Sequence, residues 1–282
     1  MKRTLAACLL LLTACAGPRP DIPDAARVTP PVAWRDTAAS DVQVSPQWWT
    51  AFGDPVLTGL VDQALANNAD IATAAARVEE AQAGFAAARG ALLPAVNADT
   101  GGANSRTINA FGQPSSATSG QAELTTSYEI DLFGRLRNAS AAARATLLAT
   151  QYARDTVRLG VAASVAQGYI TLRAYDARLV VLQETVATRQ QALAAAVHRA
   201  ETGYSPALER QQAQAEYDSA RQQIPAMQLA IRRQEDALSL LLGDAPRAIE
   251  RGADLDHMTP PSVQPDVPAR ILRQRPDIAQ AE

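Results

Sequence analysis

The chain has 282 residues, 47% of them hydrophobic and 20% charged, with a formal net charge of −3. That length can bury a sizeable core in one large or two medium domains, and so small a net charge does not imply a polyanionic partner such as nucleic acid, although a sum leaves a local basic patch open. No run of eighteen apolar residues occurs, which excludes an ordinary transmembrane helix but not a membrane β-barrel, whose alternating strands keep hydropathy low.

Sixty residues are alanine, a composition suited to close helix packing, and Lys2 is the only lysine. Lys2 and Arg3 precede an apolar run from Leu5 to Leu12 that ends in Thr13-Ala14-Cys15. A positive start, a short apolar stretch and small residues before a cysteine read as a secretory signal over residues 1–14. Cleavage before Cys15 leaves one thiol, no intramolecular disulfide and a net charge of −5 from 24 Arg against 29 acids. The order Leu12-Thr13-Ala14-Cys15 resembles the bacterial lipobox, and the resemblance implies that Cys15 carries diacylglycerol and an N-acyl chain. Stable anchoring needs more than one chain. Ala16 after the cysteine, rather than Asp, favours the outer membrane by the same resemblance. An ordinary signal peptide with an incidental cysteine is the alternative.

Residues 15–53 form a tether and an aromatic segment: Pro18, Pro20, Pro23, Pro30 and Pro31 keep the chain extended, and Trp48, Trp49 and Phe52 follow. At Asp54-Pro55 the Asp can cap a helix and the Pro can occupy its first position. A first helical segment is predicted over 54–94, with Leu57, Ala64, Ile71, Val78, Phe85 and Leu92 spaced by seven and a mostly alanine line three residues on. Large knobs facing small residues let helices approach closely. Pro94 ends it.

Over residues 95–131 the helical period is lost. Gln121 to Ile130 alternates polar and less polar positions over the length of a tilted membrane strand of about 9–11 residues. Val96, Ala98 and Thr100 begin a weaker partner strand, and Ser105 to Ser119, rich in Asn, Ser, Thr and Gly, reads as the loop between them. A solvent-exposed hairpin of a soluble protein is the alternative.

Residues 132–243 read as a long helical hairpin. Its first helix runs from Arg135 to about Ala200 with Val165, Leu172, Leu179, Val186, Leu193 and Ala200 in line, near 100 Å at about 1.5 Å per residue. The chain reverses at Thr202-Gly203-Tyr204-Ser205-Pro206, where Gly203 suits a left-handed helix end, Ser205 an N-cap and Pro206 a first turn. The return helix carries Ala213, Tyr217, Ala220, Ile224, Met227, Ile231 and Leu238, with a kink expected at Pro225 and an end at Gly243. A Pro-rich connector occupies 244–271.

Leu65 to Ala74 matches Leu272 to Ala281 at five of ten positions, an offset of 207 residues, and both copies stand at the expected start of a helix. Residues 272–282 therefore read as the start of a second repeat that is cut off at Glu282. No catalytic residue and no metal ligand set is assigned. His198 and His257 are the only histidines, and no nucleophile and base stand in a recognised pairing. His198 suits the negative end of its helix. The pairs Glu79-Glu80 and Glu235-Asp236 are adjacent rather than one turn apart, which reads as solvated charge.

Six stretches resemble the TolC superfamily of outer-membrane efflux factors, in its NodT-like lipoprotein branch serving resistance-nodulation-division pumps. They are Leu12-Thr13-Ala14-Cys15; Trp48-Trp49 with Phe52, Asp54 and Leu57; Asn68, Asp70 and Ile71 with Ala76-Arg77-Val78; Tyr128 through Arg135; Leu240-Leu241-Leu242-Gly243 with Pro246; and Arg275-Pro276-Asp277-Ile278. The resemblance implies a mainly α fold of long antiparallel coiled-coil helices forming a periplasmic α-barrel, with an inserted β-hairpin contributing to a trimeric outer-membrane β-barrel. It implies two structural repeats, of which this chain holds the first. It also implies a homotrimer, lipid-anchored in the outer membrane of a Gram-negative bacterium and extending into the periplasm. Its partners would be a periplasmic membrane-fusion adaptor and an inner-membrane pump, with no cofactor besides the lipid on Cys15. By the same resemblance Thr202, Gly203, Tyr204 and Ser205 form the tip that meets the adaptor, although Thr202 and Tyr204 depart from the family's usual hydrophobic flanks. The implied function is a passive exit duct for drugs or other small molecules. A periplasmic coiled-coil lipoprotein or adaptor without a channel is the alternative reading.

Overall fold

The computed structural model describes residues 45–259 and 275–282. The signal, Cys15, most of the tether and residues 260–271 of the connector lie outside these residues.

A short 3-10 turn, Trp48–Phe52, brings Trp49 into the core. Helix α1, Pro55–Asn67, begins as the sequence predicts: Pro55 takes the first position and the Asp54 carboxylate accepts from the Val56 and Leu57 N–H groups at 2.8 and 3.2 Å. The seven-residue line then crosses a break that the periodicity conceals. Asn68 is extended and starts a new helix, α2, Ala69–Gly90. Its side-chain oxygen accepts from Asp70 and Ile71 N–H at 2.9 and 3.3 Å, while Nδ2 donates to the Leu241 carbonyl at 2.9 Å. An asparagine side chain competes with the backbone for its hydrogen bonds, which is why it serves a helix start better than an interior. The apolar line survives the break, with Leu57, Ala64 and Ile71 buried and Val78, Phe85 and Leu92 half-buried.

Strands β1, Ala95–Ile108, and β2, Pro114–Ser127, form an antiparallel ladder from Ala95 opposite Ser127 to Ile108 opposite Pro114. This corrects the expected boundaries. The second strand ends at Ser127 rather than Ile130, and most of the span read as a loop, Ser105 to Ser119, continues the ladder. Polar side chains on an exposed ribbon do not interrupt backbone pairing, so composition there reports solvation and not a turn. The turn proper is made by Asn109, whose carboxamide oxygen accepts from Phe111 and Gln113 N–H at 3.0 and 2.9 Å, and by Gly112 at φ 77°.

Gly134, at φ 79°, leads into α3, Arg135–Glu201, a single 67-residue helix that closely matches the predicted span. At about 1.5 Å per residue it extends near 100 Å. The Asp131 carboxylate accepts from the Arg137 N–H at 2.9 Å, and Glu129 pairs with Arg135 at 2.7 Å. The Arg137 backbone N–H chiefly holds the Asp131 carboxyl below its usual value, against the opposing effect of desolvation, with the Leu136 N–H and the Arg137 guanidinium assisting. A lowered folded-state pKa stabilises above the unfolded value, about 3.9, and the stabilisation is lost as pH falls through the lowered one. The thermal midpoint of Asp131→Asn should therefore lie below that of the parent at pH 7, with the gap closing below about pH 4. A gap that does not change with pH would contradict this.

Helix α4, Ala207–Leu241, runs antiparallel to α3 and passes through Pro225 without ending. Its Tyr217, Ile224 and Met227 are half-buried, and Ala220, Ile231 and Leu238 are buried, so the predicted seam is the packed one. At Gly168 the two helices approach so closely that a Cβ would lie 2.9 Å from Leu238 Cδ2. The Gln234 amide donates to the Gly168 carbonyl at 3.1 Å. The main apolar cluster gathers Trp49, Leu57, Val61, Val165, Tyr169, Leu172, Leu238, Leu242 and Ile249 around the middle of α3. A final helix, α5, Pro276–Ala281, also packs on α3. Helices α2 and α5 begin at Ala69 and Pro276, 207 residues apart, in register with the internal match. Their starts differ: Asn68 caps α2 through its side chain, whereas Arg275 makes no cap bond and pairs with Asp277 at 2.7 Å. Among the described residues no helix is long and apolar enough to cross a membrane.

Candidate functional site

Two regions stand out, one at each end of α3, and a polar cluster lies between them. At the C-terminal end Gly203 adopts φ 75°. Tyr204 N–H donates to the Arg199 carbonyl at 2.8 Å and Gly203 N–H to that of Ala200 at 3.3 Å, the paired bonds of a glycine-terminated helix. The expected left-handed glycine is found. The expected N-cap is not: Pro206, still extended at ψ 150°, occupies the cap position with no side-chain bond, and α4 starts one residue later. Ser205 therefore stands one position before the cap, although its place before a proline would itself allow capping, as Asp54 before Pro55 shows. Its hydroxyl is buried without a partner.

The turn thus brings Thr202, Gly203, Tyr204 and Ser205 together but presents them unequally. Thr202 Oγ1 turns inward and donates to the His198 carbonyl at 2.8 Å. Tyr204 is 88% exposed, and Leu208 beside it 62%. Leu208 escapes sequence reading because one apolar residue in a helix's first turn carries no periodic signal. Below the tip, Arg199–Glu209 at 2.5 Å and Arg189–Glu216 at 2.6 Å join α3 to α4. Being half-exposed, such pairs are worth only about 0–1 kcal/mol each and serve chiefly to fix register.

Midway along α3, the second oxygen of Asp54 accepts from the Tyr169 hydroxyl and from Ala253 N–H, both at 3.0 Å, and Gly252 N–H donates to the same hydroxyl at 2.8 Å. Burial, first, and then the Asp54 carboxylate push the Tyr169 phenol up to about 12, with the Gly252 N–H opposing. Tyr169 is therefore a neutral donor at any physiological pH. One turn on, Arg173 reaches the Ala253 carbonyl, Asp176 and Asp254 at 3.1, 3.0 and 2.8 Å. Arg251 bridges Asp176 to Glu235. Glu235 is thus not the solvated charge that its adjacency to Asp236 suggests: the reversal at Gly243 brings Arg251 back over it. The cluster ties the chain after α4 across α3 and α1. It is a structural staple, with each carboxylate engaged by arginine, tyrosine or backbone N–H. Among the described residues no cluster of metal-ligating side chains occurs. His198 and His257 are exposed, in the last turn of α3 and in the short 3-10 turn Leu255–His257. Cys15 lies outside the described residues.

At the N-terminal end of α3 stands the β-ribbon, with both faces and both edges open. Long antiparallel helices with a tight turn at one end carry an inserted two-stranded ribbon at the other. The chain belongs to the outer membrane efflux protein family, whose model matches residues 60–244. It is 33% identical to the pyoverdine export outer membrane protein OpmQ of Pseudomonas putida, over 97% of this chain and 60% of OpmQ. It is 32% identical to the Salmonella typhimurium protein named "Probable outer membrane lipoprotein SilC", over 83% of this chain and 51% of that one. Among solved structures, the Campylobacter jejuni CmeC outer membrane channel matches with a TM-score of 0.74 at 25% identity, over 88% of this chain and 54% of CmeC. The chain spans little more than half the length of these relatives.

Proposed function

We propose that this chain supplies the first structural repeat of a subunit of an outer-membrane efflux channel, the passive exit duct of a tripartite system for drugs or other small molecules. The observation that carries the reading is the open-edged ribbon at the head of α3. Lipid tolerates no unpaired strand edge, so a membrane ribbon must close with further strands into a barrel. Closure through a homotrimer, each subunit giving strands to one barrel, follows the family architecture. The long Ala-rich seams let helices stand side by side around a water-filled lumen. Energy would come from the inner-membrane pump, and Cys15 would hold the lipid anchor in the outer membrane.

The protein should migrate as a detergent-stable, heat-modifiable trimer on a gel. The trimer band should carry palmitate label that Cys15→Ser removes. A monomer released from membranes without detergent would refute the channel reading.

Tyr204 and Leu208 give the tip an apolar contact suited to an adaptor hairpin. Gly203→Cys should form a crosslinked adduct with the adaptor in living cells. A functional variant that gives no adduct would remove the tip from the contact.

A further inference from the structure

We infer that only the helix-proximal half of the ribbon lies in the bilayer, with Val96, Ala98, Thr100, Ala122, Leu124 and Thr126 facing lipid and the row holding Asp99 and Glu123 facing the lumen. This rests on the channel reading above. The distal half then stands beyond the membrane as a polar ribbon.

The register carries the argument. Successive side chains of a strand point to opposite faces. Val96 pairs with Thr126, Ala98 with Leu124 and Thr100 with Ala122, so these six share a face, and it bears no charge. On the other face Asp99 stands directly opposite Glu123. Glu123 accepts from Gln121 at 3.2 Å and from Thr125 at 3.3 Å, which places those polar side chains on its face too. Like charges directly opposite are destabilising unless well solvated. Lipid cannot solvate them, and a water-filled lumen can.

Depth follows from the same ladder. The uncharged face ends beyond the Gly102–Gly120 pair, where Asn104 and then Arg106 take its positions. The eight residues Ala95 to Gly102, at about 3.4 Å each and tilted about 40°, rise about 21 Å along the membrane normal, close to the roughly 25 Å apolar band of such barrels. All fourteen residues of β1 would rise about 36 Å, more than that band can hold, and Arg106 falls in the excess. At the helix end, Tyr128 is 59% exposed and Phe133 80%. These aromatic rings stand where a barrel places its interfacial girdle.

The test uses nitroxide labels on single cysteines, at Ala98, Leu124, Gln121, Thr125, Asn104 and Thr118, in the protein reconstituted into phospholipid vesicles. The ratio of broadening by oxygen to broadening by a water-soluble nickel chelate should exceed one at 98 and 124 and fall below one at 121 and 125. It should also fall below one at 104 and 118, although these share the face of 98 and 124. Leu124→Arg should abolish trimer assembly, whereas Gln121→Arg and Thr118→Arg should assemble. Lipid contact at 104 and 118, or exchanged faces, overturns this inference while leaving the channel reading in place. Water access at all six positions overturns both.

Discussion

Asp54→Ala should cost about 3–5 kcal/mol of stability, because one carboxylate satisfies two separate sets of donors. Its loss removes a helix cap, worth about 1 kcal/mol. It also strands the Tyr169 hydroxyl and the Ala253 N–H, which it binds at 3.0 Å each. Each buried donor left unpaired costs about 1–3 kcal/mol. Denaturant midpoints in detergent measure the effect. Gly252 adds a sharper test: a Cβ there would lie 2.2 Å from Asp54 Oδ1. Gly252→Ala should therefore be severe alone and milder once Asp54→Ala has removed the obstructing carboxylate, with the double variant falling short of the sum by 1 kcal/mol or more, roughly. Strict additivity would show that the staple does not act as a unit.

Much of the helical frame is legible because it rests on periodicity. Val165, Leu172 and Leu179, or Ile224, Ile231 and Leu238, repeat at a spacing that only a packed helix explains. The reversals at Gly203 and Gly243 are legible too, since each needs a left-handed residue. What fails to show in the sequence depends on partners far along the chain or on backbone pairing. Asp54 is visible as a cap, but Tyr169 and Ala253 lie 115 and 199 residues away. Glu235 meets Arg251 only because of the turn between them. Asn68 hides inside an unbroken apolar line. Residues Ser105 to Ser119 look like a loop because serine and threonine announce solvent, and an exposed ladder is also solvated. At the tip, the position of Gly203 is readable, whereas the inward turn of Thr202 and the outward reach of Tyr204 depend on the bonds back to His198 and Arg199.

Gly243→Ala should be more damaging than Gly203→Ala, although both glycines have nearly the same backbone, φ 74° and 75°. A left-handed conformation costs a residue with a side chain about 1–2 kcal/mol, and that is the whole expected cost at Gly203, where a Cβ meets nothing within 4 Å. At Gly243 the Cβ would lie 2.6 Å from the Asn67 carbonyl oxygen and 3.2 Å from its carbon. These are backbone atoms and cannot swing aside. The neighbouring Asn68 pins them further, since its amide holds the Leu241 carbonyl at 2.9 Å. The end of α4 and the α1–α2 junction would have to separate, breaking that bond and loosening the packing of Leu238 and Leu242. Total loss should reach about 3–4 kcal/mol, roughly twice the Gly203→Ala value. Asn68→Ala, which frees the junction to move, should make the added cost of Gly243→Ala smaller. Equal losses at the two glycines would mean that the α4 end is not held against α1 by backbone contact. The lock at Gly243 would then have no part in setting where α4, running from the tip, ends.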